Sequence, residues 1–209
     1  KAGLCEFALN TFLYGSTSQN VKFGMAELIA GILHNRLPEC IEDDSKFWSL
    51  SSQLVRGVAA LHSAGIIHLA IQPKNIVLTP NGEIRITNFY RACEINATRT
   101  HAPWWHPNDF PEFRAPEEGN GTFSFASDIF SVGATLFEMA TGALPSPDRD
   151  VLTIGDPAKR ELIAFALHDD PSERPTADEL LEKITILAPS STMEGEFRAQ
   201  VFASMRFND

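Results

Sequence analysis

The stretch from Gly65 to Tyr90, GIIHLAIQPKNIVLTPNGEIRITNFY, constrains the fold of this chain more than any other. Its middle reads as a β-hairpin. Ile76, Val77 and Leu78 form a short apolar run, Thr79-Pro80-Asn81-Gly82 supplies a turn, and Glu83-Ile84-Arg85-Ile86-Thr87 alternates polar residues with isoleucine as a half-buried strand does. Pro80 presets its backbone angle and Asn81-Gly82 accepts positive φ cheaply, so the turn is specified locally.

The residues on either side of the hairpin resemble the catalytic and magnesium loops of protein kinases, whose patterns are H-R-D-x-K-x-x-N and D-F-G. The first loop reads His68-Leu69-Ala70-Ile71-Gln72-Pro73-Lys74-Asn75 and the second Asn88-Phe89-Tyr90. Ala115-Pro116-Glu117 matches the A-P-E motif. Asp128 and Gly133 match D-x-W-x-x-G, with Phe130 at the tryptophan position, and Arg174 matches the arginine that pairs with the A-P-E glutamate. The resemblance runs from roughly Phe7 to Glu182. It implies an α+β, protein kinase-like fold with a mostly helical C-lobe, small β-hairpins and only a remnant of the N-lobe sheet. On that comparison residues 1–28 are the N-lobe remnant, 29–188 the C-lobe and 189–209 a tail.

At the reacting positions the residues depart from the pattern. The loop aspartate of an active kinase accepts the substrate hydroxyl proton, and Ala70 stands there with a methyl group. The following lysine neutralises phosphoryl charge, and Gln72 is neutral. The D-F-G aspartate binds magnesium as an anionic oxygen ligand, and Asn88 offers a neutral carbonyl. Only Asn75 matches a metal-ligand position. Tyr90 replaces a flexible glycine. No G-x-G-x-x-G occurs in the chain, and neither the strand lysine nor the helix glutamate of a complete N-lobe is present. The resemblance therefore implies a catalytically degenerate pseudokinase: no enzyme, no cofactor, and a role as protein-binding scaffold, allosteric regulator or decoy of kinase partners. Two alternatives stand beside it, an enzyme of altered group-transfer chemistry and a C-lobe fragment of a larger kinase-like protein.

Elsewhere the signals are local. Phe7 to Tyr14, a polar turn at Gly15 to Asn20 and a strand from Val21 to Leu28 suggest a second hairpin leading to a hinge at Ala26 to Ile29, with Met25 just before it. Gly31 to Pro38 resembles the short helix after a kinase hinge. Phe47, Leu50, Leu54, Val58 and Leu61 form a helical stripe, favoured at its start by Asp43 and Asp44 and ended by Gly65. Ser127 to Thr141 is apolar all round and is expected to be a buried helix ending at Gly142. Ala158 to His168 reads as another helix, and Thr176 with Glu179 forms a capping box for the last.

Charge and cysteine usage narrow the partners. A formal charge of −10 disfavours non-specific binding to nucleic acid or anionic membranes, and no apolar run reaches the ~20 residues of a membrane span. The 3 cysteines, Cys5, Cys40 and Cys93, are widely spaced and odd in number, which points to reduced thiols in the cytoplasm. The sequons at Asn96 and Asn120 pull the other way.

Each candidate residue has a structural role to weigh against a functional one. His68 reads as a core residue that packs and hydrogen-bonds internally, and Asp128, at the start of a buried helix, is expected to accept backbone N–H bonds from the loop around His68. Asn75 reads as a backbone binder, Phe89 as a packed motif residue, and Glu117–Arg174 as a buried brace. His101, His106 and Asp109 do not have standard metal spacing. Trp104 and Trp105 either anchor their segment or form a partner-binding patch. If nothing preceded Lys1, an apolar face of Met25, Leu28, Ile29, Val77 and Phe89 would lack cover. A protein surface is then expected on it: a kinase partner, a second copy, or the tail with Phe197, Val201, Phe202, Met205 and Phe207.

Overall fold

The computed structural model describes residues 11–16, 22–26, 29–95, 111–146 and 150–189. Strands β1 (Thr11–Ser16) and β2 (Lys22–Ala26) pair antiparallel, Tyr14 opposite Gly24, with a register shift between Thr11 and Leu13. This is the remnant hairpin. Of the second strand expected from Val21 to Leu28, residues 21, 27 and 28 lie outside the described residues.

The lobe is built on two helices. Helix α2 (Asp44–Ser63) starts where the Asp43 carboxylate accepts the Ser45 N–H at 2.9 Å, and Phe47, Trp48, Leu50, Leu54, Val58 and Leu61 bury its apolar stripe. Gly65, at φ 76°, turns the chain out of it. Helix α3 (Phe125–Thr141) is buried on nearly every side from Ser127 to Met139, and Gly142 at φ 72° closes it. It is rich in apolar residues because other elements cover it: α1 (Leu37–Glu42), α2 and α4 (Pro157–Ala166). A Cβ on Gly133 would lie 2.9 Å from the Ala166 Cβ, so that glycine sets how closely α3 meets α4. Helix α5 (Ala177–Leu187) packs on α2 and α4 behind its capping box. There the Glu179 N–H donates to Thr176 Oγ1 at 3.2 Å and the Thr176 N–H to Glu179 Oε2 at 2.8 Å.

The central hairpin, β5 (Ile76–Leu78) and β6 (Ile84–Ile86), pairs Ile76 with Ile86 and Leu78 with Ile84, and all four side chains enter the core. Gly82 has φ 79° in the turn. The Gln53 side chain on α2 accepts the Ile84 N–H at 3.0 Å and so pins the hairpin to the helix.

Two local expectations change. Gly31 to Pro38 is not one helix: strand β3 (Gly31–Ile32) pairs with Leu78 and Val77, a 3₁₀ turn follows at Leu33–Arg36, and α1 begins there with Pro38 in its first turn. The same pairing buries Val77, which is 6% exposed, so Val77 is not part of an uncovered face; Ile29 and Phe89, at 43% and 37%, are exposed. Strands β4 (Ile66–Ile67) and β7 (Cys93–Glu94) pair on the far side of the loop, a contact without a local sequence signal. No described helix is long and apolar enough to cross a membrane.

Candidate functional site

Asp128, in the first turn of α3, shapes the loop that precedes the hairpin. Its side chain is fully buried. Oδ2 accepts the His68 backbone N–H at 2.8 Å and lies 3.0 Å from His62 Nε2, while Oδ1 accepts the Leu69 N–H at 2.8 Å. These bonds hold Leu69 at φ 59°, a left-handed conformation that costs an ordinary residue roughly 1–2 kcal/mol. Hydrogen bonds to a charged acceptor, at about 1.5–3 kcal/mol each, outweigh that strain.

His68 is fully buried beneath the loop. Its Nδ1 accepts the Ala70 N–H at 3.2 Å, which assigns the proton to Nε2, where it is donated to the Thr87 carbonyl at 3.0 Å. Burial holds its pKa below the ordinary histidine value, and the pull of Asp128 and the Thr87 carbonyl toward the charged form does not overcome it. The neutral ring meets Phe89 edge-on, with centroids 4.7 Å apart.

Asn75 joins the two loops. Its Nδ2 donates to the Ala70 carbonyl at 2.7 Å, its Oδ1 accepts from Asn88 Nδ2 at 2.9 Å, and its backbone carbonyl accepts both the N–H and the hydroxyl of Thr87, each at 2.9 Å. Asn88 sits at φ 69°, a left-handed position that asparagine tolerates. Ala70 and Gln72 are buried beside it. Neither 68–75 nor 86–92 contains a carboxylate, and the Asn75 carbonyl oxygen already has a donor. These residues do not fit the magnesium site of a kinase, which needs anionic oxygen ligands.

The brace lies on the other side of α3. Arg174 Nη1 and Nη2 reach Glu117 Oε1 and Oε2 at 2.8 and 2.9 Å as a two-pronged fork, and the guanidinium also donates to the carbonyls of Ala126, His168 and Asp169. It stacks over Phe130 at 4.9 Å. Burial pushes the Glu117 carboxyl up, but Arg174, the backbone and the Ser127 hydroxyl outweigh it and leave the pKa below the usual range.

The sequence reading missed a second pair. Arg91 and Glu118, both buried, meet at 2.9 Å, and Arg114 lies 3.7 Å from the same carboxylate. Burial raises the pKa of Glu118. It also missed Glu138, whose 4% exposed side chain lies 3.5 Å from His34 Nδ1. Burial pushes the Glu138 carboxyl up to about 7, with Glu112 adding to the shift and Lys74 opposing it. Trp104, Trp105, Leu28, His101, His106, Asp109 and the tail from 190 lie outside the described residues, and of Met25 only its place in β2 is described. Among the described residues no three His, Cys, Asp or Glu side chains converge as a metal site.

A buried acid fixing a left-handed loop, a hairpin behind it and an arginine fork at a distant glutamate define the C-terminal lobe of a protein kinase-like fold. The chain belongs to the protein kinase domain family, which it matches over residues 15–185. It is similar to the serine/threonine-protein kinase STK11 of Rattus norvegicus, 34% identical over 125 residues that cover 58% of this chain and 28% of the relative. It is also similar to the serine/threonine-protein kinase STE20 of Kluyveromyces lactis, 29% identical over 193 residues, 80% of this chain and 19% of the relative. The serine/threonine-protein kinase RUNKEL of Arabidopsis thaliana is 28% identical over 167 residues, 78% of this chain and 12% of the relative. The chain thus spans less than a third of the length of these relatives.

These findings correct the expectation that the chain is not an enzyme. Its family and the names of its relatives point to a kinase enzyme. The physical reason for the correction is one of scope: Ala70, Gln72 and Asn88 describe what three positions cannot do, and that does not set the class of the protein to which they belong.

Proposed function

We propose that this lobe acts by binding protein, as a scaffold or allosteric regulator of a kinase partner, within a longer kinase-family chain. One observation carries the reading. The frame that shapes the site, Asp128 and the Glu117–Arg174 fork, matches the family pattern, while the positions facing the transferred phosphate carry a methyl and two neutral amides, Ala70, Gln72 and Asn88. A surface held in shape without those charges supports recognition. Ile29, Phe89 and Tyr90, 43%, 37% and 42% exposed, add the apolar and aromatic area that anchors protein interfaces. The free buried thiol of Cys40 supports a cytoplasmic setting.

A second reading, group transfer by rearranged residues, is favoured by the relatives named as serine/threonine kinases. One experiment separates the two. The full chain is mixed with an isolated serine/threonine kinase domain and labelled ATP, and phosphate transfer to a test protein is followed. On the first reading the kinase domain's rate changes severalfold when the chain is added, and Phe89→Asp with Tyr90→Ser removes the effect. Label transferred by the chain alone, undiminished in Gln72→Ala, supports the second. No change in rate together with no association in sedimentation counts against the first.

A further inference from the structure

The fold family implies a magnesium ion between the loop before β5 and the loop after β6, and the residues here do not fit one. We propose that the amide pair Asn75–Asn88 is a metal-independent clasp that joins these loops in the place of a bridging cation.

The orientation of the pair is determined by its surroundings. Asn75 Nδ2 donates to the Ala70 carbonyl at 2.7 Å, so Asn75 must present its oxygen toward Asn88. That oxygen accepts from Asn88 Nδ2 at 2.9 Å. A cation held by both side chains would require the Asn88 amide to turn over and give up this bond, and it would gain only two neutral oxygens. A hard divalent ion does not exchange its water shell for so little. Asparagine also suits position 88 on backbone grounds, because it accepts φ 69° and still carries a donor. Behind the clasp the loops are already stitched by Thr87 to the Asn75 carbonyl and by His68 to the Thr87 carbonyl. The clasp is the outermost stitch, on the side where Asn88 is exposed.

An aspartate at 88 reverses the chemistry. Its carboxylate oxygen would face the Asn75 oxygen with no proton between them, a repulsive arrangement alone and a ligand pair when a cation is added. The wild type and Asn88→Asp should therefore respond oppositely to magnesium.

The test is hydrogen exchange of the Thr87 N–H in the full chain, with millimolar magnesium and with a chelator. Wild-type exchange should be the same in both. In Asn88→Asp it should speed up about tenfold in chelator, the loss expected when a buried acceptor loses its donor, and return toward the wild-type rate with magnesium. Asn88→Gly keeps the left-handed backbone without the amide and should exchange faster than wild type in both conditions. Wild-type exchange slowed by magnesium overturns the proposal, as does Asn88→Asp exchanging like wild type in chelator. Should Asn88→Asp fail to fold, Asn88→Gly decides: exchange equal to wild type overturns the clasp, and faster exchange supports it.

Discussion

The loop at 68–75 and the brace at Glu117–Arg174 are both polar, both lie beside α3, and both correspond to kinase motifs, yet only the brace carries the family's charges. In the brace each hydrogen-bonding nitrogen of a buried arginine has a partner, and removing one charge leaves the other stranded. In the loop the charged groups of the pattern are replaced by the aliphatic Leu69 and Ala70 and the amide Gln72, and the loop keeps its form because a buried acid outside it, Asp128, holds its backbone. Side chains that serve the fold and side chains at the reacting positions of the pattern can thus change independently.

The sharpest way to break this comparison is at the brace. Arg174→Ala should destabilise the lobe by about 3–5 kcal/mol, as expected when one partner of a buried pair is removed. Denaturant unfolding measures it, and a loss no larger than that of an exposed surface substitution would remove the contrast. Next in size is Glu138. Its folded-state pKa of about 7 lies above the ordinary 4.5, so its contribution to stability is full below 4.5 and is lost as pH rises through about 7. Glu138→Gln should therefore be more stable than wild type by about 2–3 kcal/mol near pH 8, with the advantage vanishing near pH 4. A difference that does not vary with pH would contradict this. The smallest expected effect is at Gly133. Alanine gains about 1 kcal/mol of helix propensity, but its Cβ must displace Ala166 and Leu167, and overpacking costs roughly 1–3 kcal/mol. The net loss, of about 1 kcal/mol, should appear as a lowered melting temperature, and a gain would show that α3 and α4 can separate freely.

What the sequence disclosed followed the range of the interactions. The hairpin at 76–86 and the capping box at Thr176 were readable because turn residues and caps act over a few positions. The stripe of α2 was readable because burial on one face repeats along the chain. Asp128 and the Arg174 fork were placed by motif, since their partners lie 60 and 57 positions away. The Arg91–Glu118 pair, 27 positions apart, and the β4–β7 pairing are also long-range but carry no recognised motif, and were missed. Gly31–Ile32 gave no strand signal because two residues cannot show a period; their pairing is set by the neighbouring Val77 and Leu78. At the candidate site the residue types showed which charges are missing but not that Asn75 and Asn88 bond to each other, which depends on a left-handed backbone at 88.

The central claim is that Asp128, rather than Ala70, Gln72 or Asn88, gives the loop its shape. Hydrogen exchange at the His68 and Leu69 amides in Asp128→Asn and Gln72→Ala tests it directly. Asp128→Asn keeps one carbonyl oxygen and turns an N–H group toward a backbone donor, so exchange at one of these amides should speed up by about a hundredfold. Gln72→Ala should leave both at the wild-type rate. Equal acceleration in the two variants, or none in Asp128→Asn, would contradict the account.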